Sequence, residues 1–456
     1  MNGTRSWPRR RSRAGTPAGP APASVARLGD EELAAWAQEN LAATAGWCSR
    51  GLDELAAQGE AQAAFVGAVR ELHPDTRRPD VALVAAAWRA LPRAVAREIT
   101  VAFPAVVGPL NGIPFAARVR ATSLLAAVEL AGLEERARVE GRRGAGENRN
   151  ALTRLGGRLR ALFEPHAVRE RRRNLSLMLP GFRYAVRDAH PRVRLLQAST
   201  LGRGRFVALD GEITGHTRSV AVLVPGTFTD GGSLANGLQR VAGIDGHEEA
   251  PATAVGIYWA GGDFPRELLE NGDPEFAERM RGPLAAFDAA LDLELREAGA
   301  GEARETYVGH SFGAAAIGSA EALDYGLTAD AVVYVGAPGA GFGISSPVDT
   351  VNPDAARYAL VAKGDLTPVA GHLLFARAMG AAPLEAMGVR RLSTGFLDHA
   401  SRSARLHNHD DYLRPGSTSA LNIRAVVLGK RVLPWLGGVD SDEELAAKID
   451  KADVGW

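Results

Sequence analysis

The chain has 456 residues, with 53 Lys plus Arg and 53 Asp plus Glu, so its formal net charge is zero. This balance provides no overall attraction to nucleic acid or to an anionic membrane, and neither is predicted as a partner. Cys48 is the only cysteine. An intramolecular disulfide and a site built from several thiolates are therefore excluded.

Residues 1–28 carry several arginines among Pro, Ala and Gly but lack the apolar stretch of a secretory signal. We expect a flexible basic arm. No run of about 18 apolar residues occurs, so a membrane span is not predicted and a cytoplasmic location is expected.

Residues 29–180 have the spacing of amphipathic helices. Asp30 is a candidate cap, and Leu33, Trp36 and Leu41 share one helical face. Further helices are predicted over 81–101 and 115–136, with a loop at 103–114 between them. This helical region is expected to cap an active site or to bind a partner.

Residues 181–435 alternate short β-rich runs with longer helical segments, which is typical of a largely parallel α/β sheet. Strands are predicted at 219–224, 253–259, 305–308, 331–335 and 358–362. Helices are predicted at 265–298, 312–325 and 421–428. Residues 436–456 are interpreted as a polar C-terminal tail.

Residues 309–313 read Gly-His-Ser-Phe-Gly, which fits the Gly-x-Ser-x-Gly pattern of a nucleophile elbow. In a chain with 52 glycines this pattern can arise by chance. Its position between a predicted strand and a predicted helix favours the catalytic interpretation, since the elbow is a sharp strand-to-helix turn that needs small residues beside the serine. Ser311 is the predicted nucleophile.

A serine nucleophile needs a histidine base and a carboxylate that orients the base. In hydrolases that have such a strand-to-helix elbow, both residues follow the serine in the chain, the acid first. Asp365 comes after a predicted strand that ends in a glycine turn, and it is the predicted acid. His409 lies on a polar turn before the last predicted helix and is the preferred base. Three other histidines remain as alternatives: His372, His399 and, nearest in position, His407.

Backbone amides that stabilise an oxyanion are expected at two turns. One is the amide of Phe312, at the start of the helix after the serine. The second is expected in the glycine turn after strand 219–224, where Thr227 and Phe228 are the candidates.

Two glycine-rich stretches do not fit nucleotide-binding motifs. Residues 226–237 lack the Gly-Lys-Ser or Gly-Lys-Thr of a P-loop. Residues 336–343 follow a strand, but Ile344 stands where a dinucleotide fingerprint has its third glycine. No cofactor is predicted, and since metal ligands do not cluster at usable spacing, no metal is predicted either.

Several motifs together resemble one family of α/β hydrolases, the bacterial domain of unknown function 1023 family. The similar segments are 222–226, 309–313, 332–341, 364–365 and 409–417, within a resemblance that covers about 81–429. Phe312 and Leu366 depart from the tyrosine and proline of the family pattern. The resemblance implies that Ser311, Asp365 and His409 act as one set.

The sequence thus predicts an α/β-hydrolase fold, a mostly parallel central sheet flanked by helices, with an N-terminal helical extension. The expected function is a serine hydrolase that cleaves an ester or thioester of a small-molecule acyl substrate. Two alternatives remain: a non-catalytic interaction protein on the same fold, and an acyltransferase that uses the same residues.

Overall fold

The computed structural model describes residues 50–70, 81–146, 166–184, 192–200, 202–439 and 441–455, together with positions 25, 27 and 46. Within these ranges, the chain before the sheet is helical. The helices are α1 Leu52–Ala56, α2 Glu60–Arg70, α3 Val81–Ala90, α4 Arg93–Ala102, α5 Pro104–Val107, α6 Phe115–Gly146 and α7 His166–Phe182.

The first helices bury their apolar faces against one another. Phe65 of α2 meets Trp88 of α3 edge to face, with ring centroids 5.6 Å apart, and both belong to a small core that also contains Ile99. Helix α6 joins this core to the sheet, because it packs on the first strand and the Thr122 hydroxyl donates to the Leu196 carbonyl at 3.1 Å. Through α6 the helical region contacts one edge of the sheet, and α7 also packs on the 3-10 helix Gly231–Ser233.

An eight-stranded sheet forms the centre of the remaining chain. Its strands are β1 Val193–Ser199, β2 Arg205–Asp210, β3 Ser219–Val224, β4 Ala254–Ala260, β5 Arg304–His310, β6 Ala331–Val335, β7 Ala356–Leu360 and β8 Arg390–Leu392. Their order is β1-β2-β4-β3-β5-β6-β7-β8. Strand β2 pairs antiparallel with β1 and β4, and all other neighbours are parallel.

Helices cover both faces of the sheet, which explains why β3, β4 and β6 are buried along their whole length. These helices are α8 Leu234–Ala242, α9 Glu275–Ala298, α10 Phe312–Glu321, α11 Thr367–Met379, α12 Pro383–Ala386 and α13 Thr418–Val427. Short 3-10 helices are Gly231–Ser233, Leu268–Gly272 and Pro347–Asp349, and a small hairpin pairs β9 Phe396–Asp398 with β10 Ser403–Arg405.

The prediction of a mostly parallel α/β sheet flanked by helices is confirmed, and strands 219–224 and 331–335 have the predicted bounds. Strands β1, β2 and β8 were not predicted. The helix expected from 265 begins at Glu275, because residues 268–272 form a 3-10 helix before it. Of the predicted arm at 1–28 only positions 25 and 27 are described, and the predicted helical face of Leu33, Trp36 and Leu41 lies outside the described residues.

The segment interpreted as a polar tail contains helix α14 Asp442–Ala452. Its Leu445 and Ile449 are buried in a small cluster with Phe396 and Leu433, so the segment packs against the sheet domain. Of the helices in the described ranges, none is both long and apolar enough to cross a bilayer.

Two carboxyl groups are buried where β5 begins. The carboxylate of Asp288 accepts from the Tyr307 hydroxyl at 2.8 Å and from the Thr328 amide at 3.1 Å, and burial raises its pKa to about 7. Burial, together with the neighbouring Asp288 and Asp292, raises the pKa of Glu305 to about 10. Both shifts favour the protonated form in the folded chain.

Glu305→Gln should flatten the dependence of stability on pH. Between its ordinary pKa of 4.5 and about 10, Glu305 is protonated when folded and ionised when unfolded. Its stabilising contribution is therefore full at low pH and is lost as pH rises. Between pH 5 and pH 9 the wild type should lose on the order of a few kcal/mol that the variant retains, measured by denaturant unfolding. Exposed Glu302→Gln is the control, and parallel curves for all three proteins would contradict the assignment.

Candidate active site

The carboxyl ends of the central parallel strands meet at one edge of the sheet, as parallel pairing requires. Ser311 follows β5, Gly336 follows β6, and Asp365 lies in the turn after β7. His409 comes from the loop between β10 and α13. Ligand sites of open α/β sheets form at this edge.

Ser311 occupies a strained turn between β5 and α10. Its backbone has φ 54° and ψ −124°, a conformation that residues other than glycine rarely adopt and that costs on the order of 1–3 kcal/mol. Its amide donates to the Val335 carbonyl at 2.9 Å. A Cβ at Gly313 would lie 2.1 Å from the Val224 carbonyl oxygen, so only glycine permits the helix to approach the sheet this closely. The predicted strand-turn-helix is present.

Asp365 and His409 form a hydrogen-bonded pair, with His409 Nδ1 and Asp365 Oδ2 2.8 Å apart. A carboxylate oxygen accepts, so Nδ1 carries the proton and Nε2 is the nitrogen left to act as a base. Burial alone raises the pKa of Asp365, but the hydrogen bond and charge of His409 and the amide of Thr367 outweigh it and lower the pKa. Asp365 is therefore ionised at neutral pH.

The His409 ring lies beside the turn that holds Ser311. A Cβ at Gly336 would lie 2.9 Å from His409 Cε1, and Gly336 directly follows Val335, the residue that accepts from the Ser311 amide. His409 Nε2 is buried and has no hydrogen-bond partner among the described residues, so it is not bonded to Ser311 Oγ. The base and the nucleophile are thus neighbours without a direct hydrogen bond.

His310, which was not predicted as a site residue, contacts the backbone of His409, the candidate base. Its Nε2 lies 3.0 Å from the His409 carbonyl oxygen, and the two imidazole centroids are 4.9 Å apart. Burial, followed by the nearby His409, lowers the pKa of His310 to about 3. His310 is therefore neutral and donates from Nε2, which positions the His409 backbone.

Tyr412, also missed as a site residue, links the acid to the sheet. Its buried hydroxyl donates to Asp365 Oδ2 at 2.9 Å and accepts from the Ala362 amide at 2.8 Å. It lies three residues after His409 in the motif His-Asp-Asp-Tyr, and this spacing was the signal that could have revealed it.

The candidate oxyanion donors differ in whether their amides already donate to another group. The amide of Phe312 lies at the first position of α10, and neither it nor the Thr227 amide donates to another group in the described ranges. The Thr227 hydroxyl is fixed by Asn271 Oδ1 at 2.8 Å. The amide of Phe228, the other candidate donor, donates to the Pro265 carbonyl at 2.9 Å, which leaves the Thr227 amide as the free one of the two.

The three alternative histidines lie elsewhere. Exposed His407 packs against Gly364, His399 Nδ1 lies 3.0 Å from the Thr418 hydroxyl, and His372 lines a cavity beside α11. In the part of the chain that is described, His409 is the histidine that hydrogen-bonds Asp365.

No protein-family model matches the chain, and no curated protein matches it significantly. Over the described ranges, no group of three or more His, Cys, Asp or Glu side chains is arranged to hold a metal ion. The geometry of the site is therefore the basis for any functional inference.

Tyr412→Phe should destabilise the fold. Removing the hydroxyl leaves the Asp365 carboxylate and the Ala362 amide each short of a buried partner, which costs about 1–3 kcal/mol. Denaturant unfolding measures the change. Tyr358→Phe on β7 is the matched control, expected within about 0.5 kcal/mol of wild type. Equal stabilities of the two variants would show that the Tyr412 hydroxyl does not support the acid.

Proposed function

We propose that the protein is a serine hydrolase of the α/β-hydrolase fold that cleaves a carboxylic ester or thioester through an acyl-enzyme on Ser311. The observation that carries the proposal is the juxtaposition of a strained elbow serine with the hydrogen-bonded pair of buried Asp365 and half-buried His409 at one sheet edge. Strained backbone concentrates at functional sites, where the surrounding structure maintains it.

The first step is acylation. His409 Nε2 takes the proton of Ser311, whose oxygen attacks the carbonyl carbon and forms a tetrahedral intermediate. Collapse of this intermediate breaks the bond to the alcohol or thiol, and His409 returns the proton to that leaving group. Asp365 keeps Nδ1 protonated and stabilises the imidazolium.

The second step is hydrolysis of the acyl-enzyme. His409 deprotonates a water molecule, which attacks the acyl carbon, and the acid product leaves as Ser311 regains its proton. The amides of Phe312 and Thr227 stabilise the negative oxygen in both steps. The partial positive charge at the N-terminus of α10 stabilises it further.

The order of elements supports the fold assignment. The elbow follows the central strand β5, the acid follows β7 and the base comes last in the chain, which is the Ser, Asp, His order of α/β hydrolases. The second oxyanion donor, Thr227, lies in the loop after β3, where this fold supplies it.

A fluorophosphonate probe should label the wild type, and Ser311→Ala should abolish labelling because the probe bonds to the nucleophile. Exposed Ser345→Ala is the control and should label normally. His409→Ala should lower kcat/KM for p-nitrophenyl butyrate by about a thousandfold or more. Exposed His407→Ala should stay near wild type. Unchanged labelling of Ser311→Ala would refute the proposal.

A non-catalytic interaction protein on the same fold is the second candidate. It is favoured by one observation: His409 Nε2 and Ser311 Oγ are not hydrogen-bonded. Catalytic hydrogen bonds often tighten only when substrate is present, so the probe separates the two candidates. A folded wild type that fails to label and hydrolyses no ester would support the non-catalytic one.

Gly226→Ala should slow the reaction without unfolding the protein. A Cβ at this position would lie 2.8 Å from Ser311 Cβ and 3.1 Å from the His310 carbonyl oxygen, so the nucleophile must shift. A displacement of about 1 Å or less can cost tenfold or more in kcat, measured on p-nitrophenyl butyrate. Gly67→Ala, where the added methyl meets no atom within 4 Å, is the control. Equal rates for both variants would contradict the placement of Ser311.

A further inference from the structure

Six large apolar side chains are strongly exposed on two neighbouring segments. We call them the apolar rim: Leu268 and Leu269 on the 3-10 helix before α9, and Leu366, Val369, Leu373 and Leu374 at α11. Their exposed fractions run from 56 to 79 %. Exposed apolar side chains scattered singly need no explanation, but a contiguous group marks an interaction surface.

The two segments of the apolar rim contact each other. The ring of Phe375 in α11 lies against Gly272 at the end of the 3-10 helix, where an added Cβ would be 3.0 Å from the ring. Residues Leu366, Val369 and Leu373 recur at intervals of three and four, so they share one side of α11. The two segments that carry the rim are therefore adjacent in the fold.

Both segments of the rim are also joined to the candidate active site. Leu366 directly follows Asp365, whose Oδ1 accepts from the Thr367 amide at the start of α11 at 2.9 Å. Asn271, two residues after Leu269, holds the Thr227 hydroxyl at 2.8 Å. Next to Thr227, the Phe228 ring is 58 % exposed. The rim thus borders the acid on one side and the oxyanion loop on the other.

An apolar cavity of about 180 Å³ lies between α11 and the sheet. Val369 and Leu373 of the rim line one part of it, and Ala337 and Pro338 line another. Ala337 directly follows Gly336, which packs against the His409 ring. The cavity wall therefore runs from the rim to Ala337, the neighbour of a residue that contacts the His409 ring.

The position of the rim beside the candidate active site indicates which kind of partner binds it. A protein bound permanently on the rim would cover the turn of Asp365 and the loop of Thr227, whereas an apolar surface that contains the substrate would bring the ester to them. Burying apolar side chains in such a surface is favourable in proportion to the area removed from water. The occupant that agrees with this position is a lipid surface.

We infer that the protein acts on esters of apolar acyl chains presented at a lipid surface, and that the apolar rim inserts into this surface. The inference rests on the proposed function, because it assigns the substrate class of the same site. The acyl chain of a substrate drawn from the surface enters the cavity beside α11, with its ester carbonyl at Ser311.

Vesicle binding tests the rim independently of catalysis. Full-length Ser311→Ala, which cannot hydrolyse the lipid, should co-sediment with phosphatidylcholine vesicles, whose zero net charge removes electrostatic attraction. Adding Leu269→Ser and Leu374→Ser should lower the bound fraction about fivefold or more, since two inserting side chains are lost. Adding Val348→Ser instead is the matched control. Val348 is 80 % exposed. It lies away from the site, since the amide of nearby Val351 donates to the carbonyl of Glu321, at the end of α10 opposite Ser311.

A second measurement follows turnover of a p-nitrophenyl ester across its critical micelle concentration. The ratio of the micellar to the monomeric rate should be about five or more in wild type and in Val348→Ser, and near one in the Leu269→Ser/Leu374→Ser variant. Since each ratio is internal to one protein, a general loss of activity in the variant does not affect it. Circular dichroism melting checks that the variants are folded.

The outcomes separate this inference from the proposed function. Vesicle binding without any esterase activity would refute the function and retain the lipid surface. Esterase activity without vesicle binding and without a micellar increase would overturn the inference alone. Two further results would also overturn it: rates that rise with acyl chain length only for monomeric esters, and a dimer that the Leu269→Ser/Leu374→Ser variant loses.

Discussion

The backbone turn at Ser311 is the constraint on which the rest of the site depends. Its positive φ is maintained by the hydrogen bond from its amide to Val335 and by the close packing of α10 on β3, which only Gly313 allows. A turn that costs on the order of 1–3 kcal/mol persists because the buried strands β3 and β6 and the buried end of β5 surround it. The same turn places the side chain of Ser311 at the sheet edge and directs the Phe312 amide into the same space.

Asp365, the candidate acid, reaches that edge because parallel strands end there together, and His409, the candidate base, reaches it on the loop between β10 and α13. Asp365 and His409 are 44 residues apart in the chain, yet they lie 2.8 Å apart in the fold. Each is supported by a buried neighbour, Tyr412 for the carboxylate and neutral His310 for the backbone of the base. These hydrogen bonds hold the carboxylate and the His409 backbone in place, while Nε2 of His409 is left without a partner in the described residues.

Around this polar site, the surface has a different character. The loops that position Asp365 and Thr227 continue into the apolar rim, so the segments that hold the polar site also expose apolar side chains to solvent. The helical region reaches this surface from one side, because α7 packs on the 3-10 helix Gly231–Ser233 that follows the Thr227 loop, and its Glu170 pairs with Arg266, two residues before Leu268.

The local sequence by itself determined the strand, turn and helix around Ser311, because hydrophobic period and glycine spacing are properties of adjacent residues. It also indicated the buried strands β3 and β6, whose residues are apolar on both faces. Short edge strands such as β8 carry too few residues to show a period. His407 and His409 lie two residues apart on one polar turn, and only the tertiary structure decided which of them bonds Asp365. It likewise decided that Phe228 donates to Pro265 and that Tyr412 donates to Asp365. These are contacts between residues distant in the chain, and hydrogen bonds of that kind depend on the packing of the strands that bring them together.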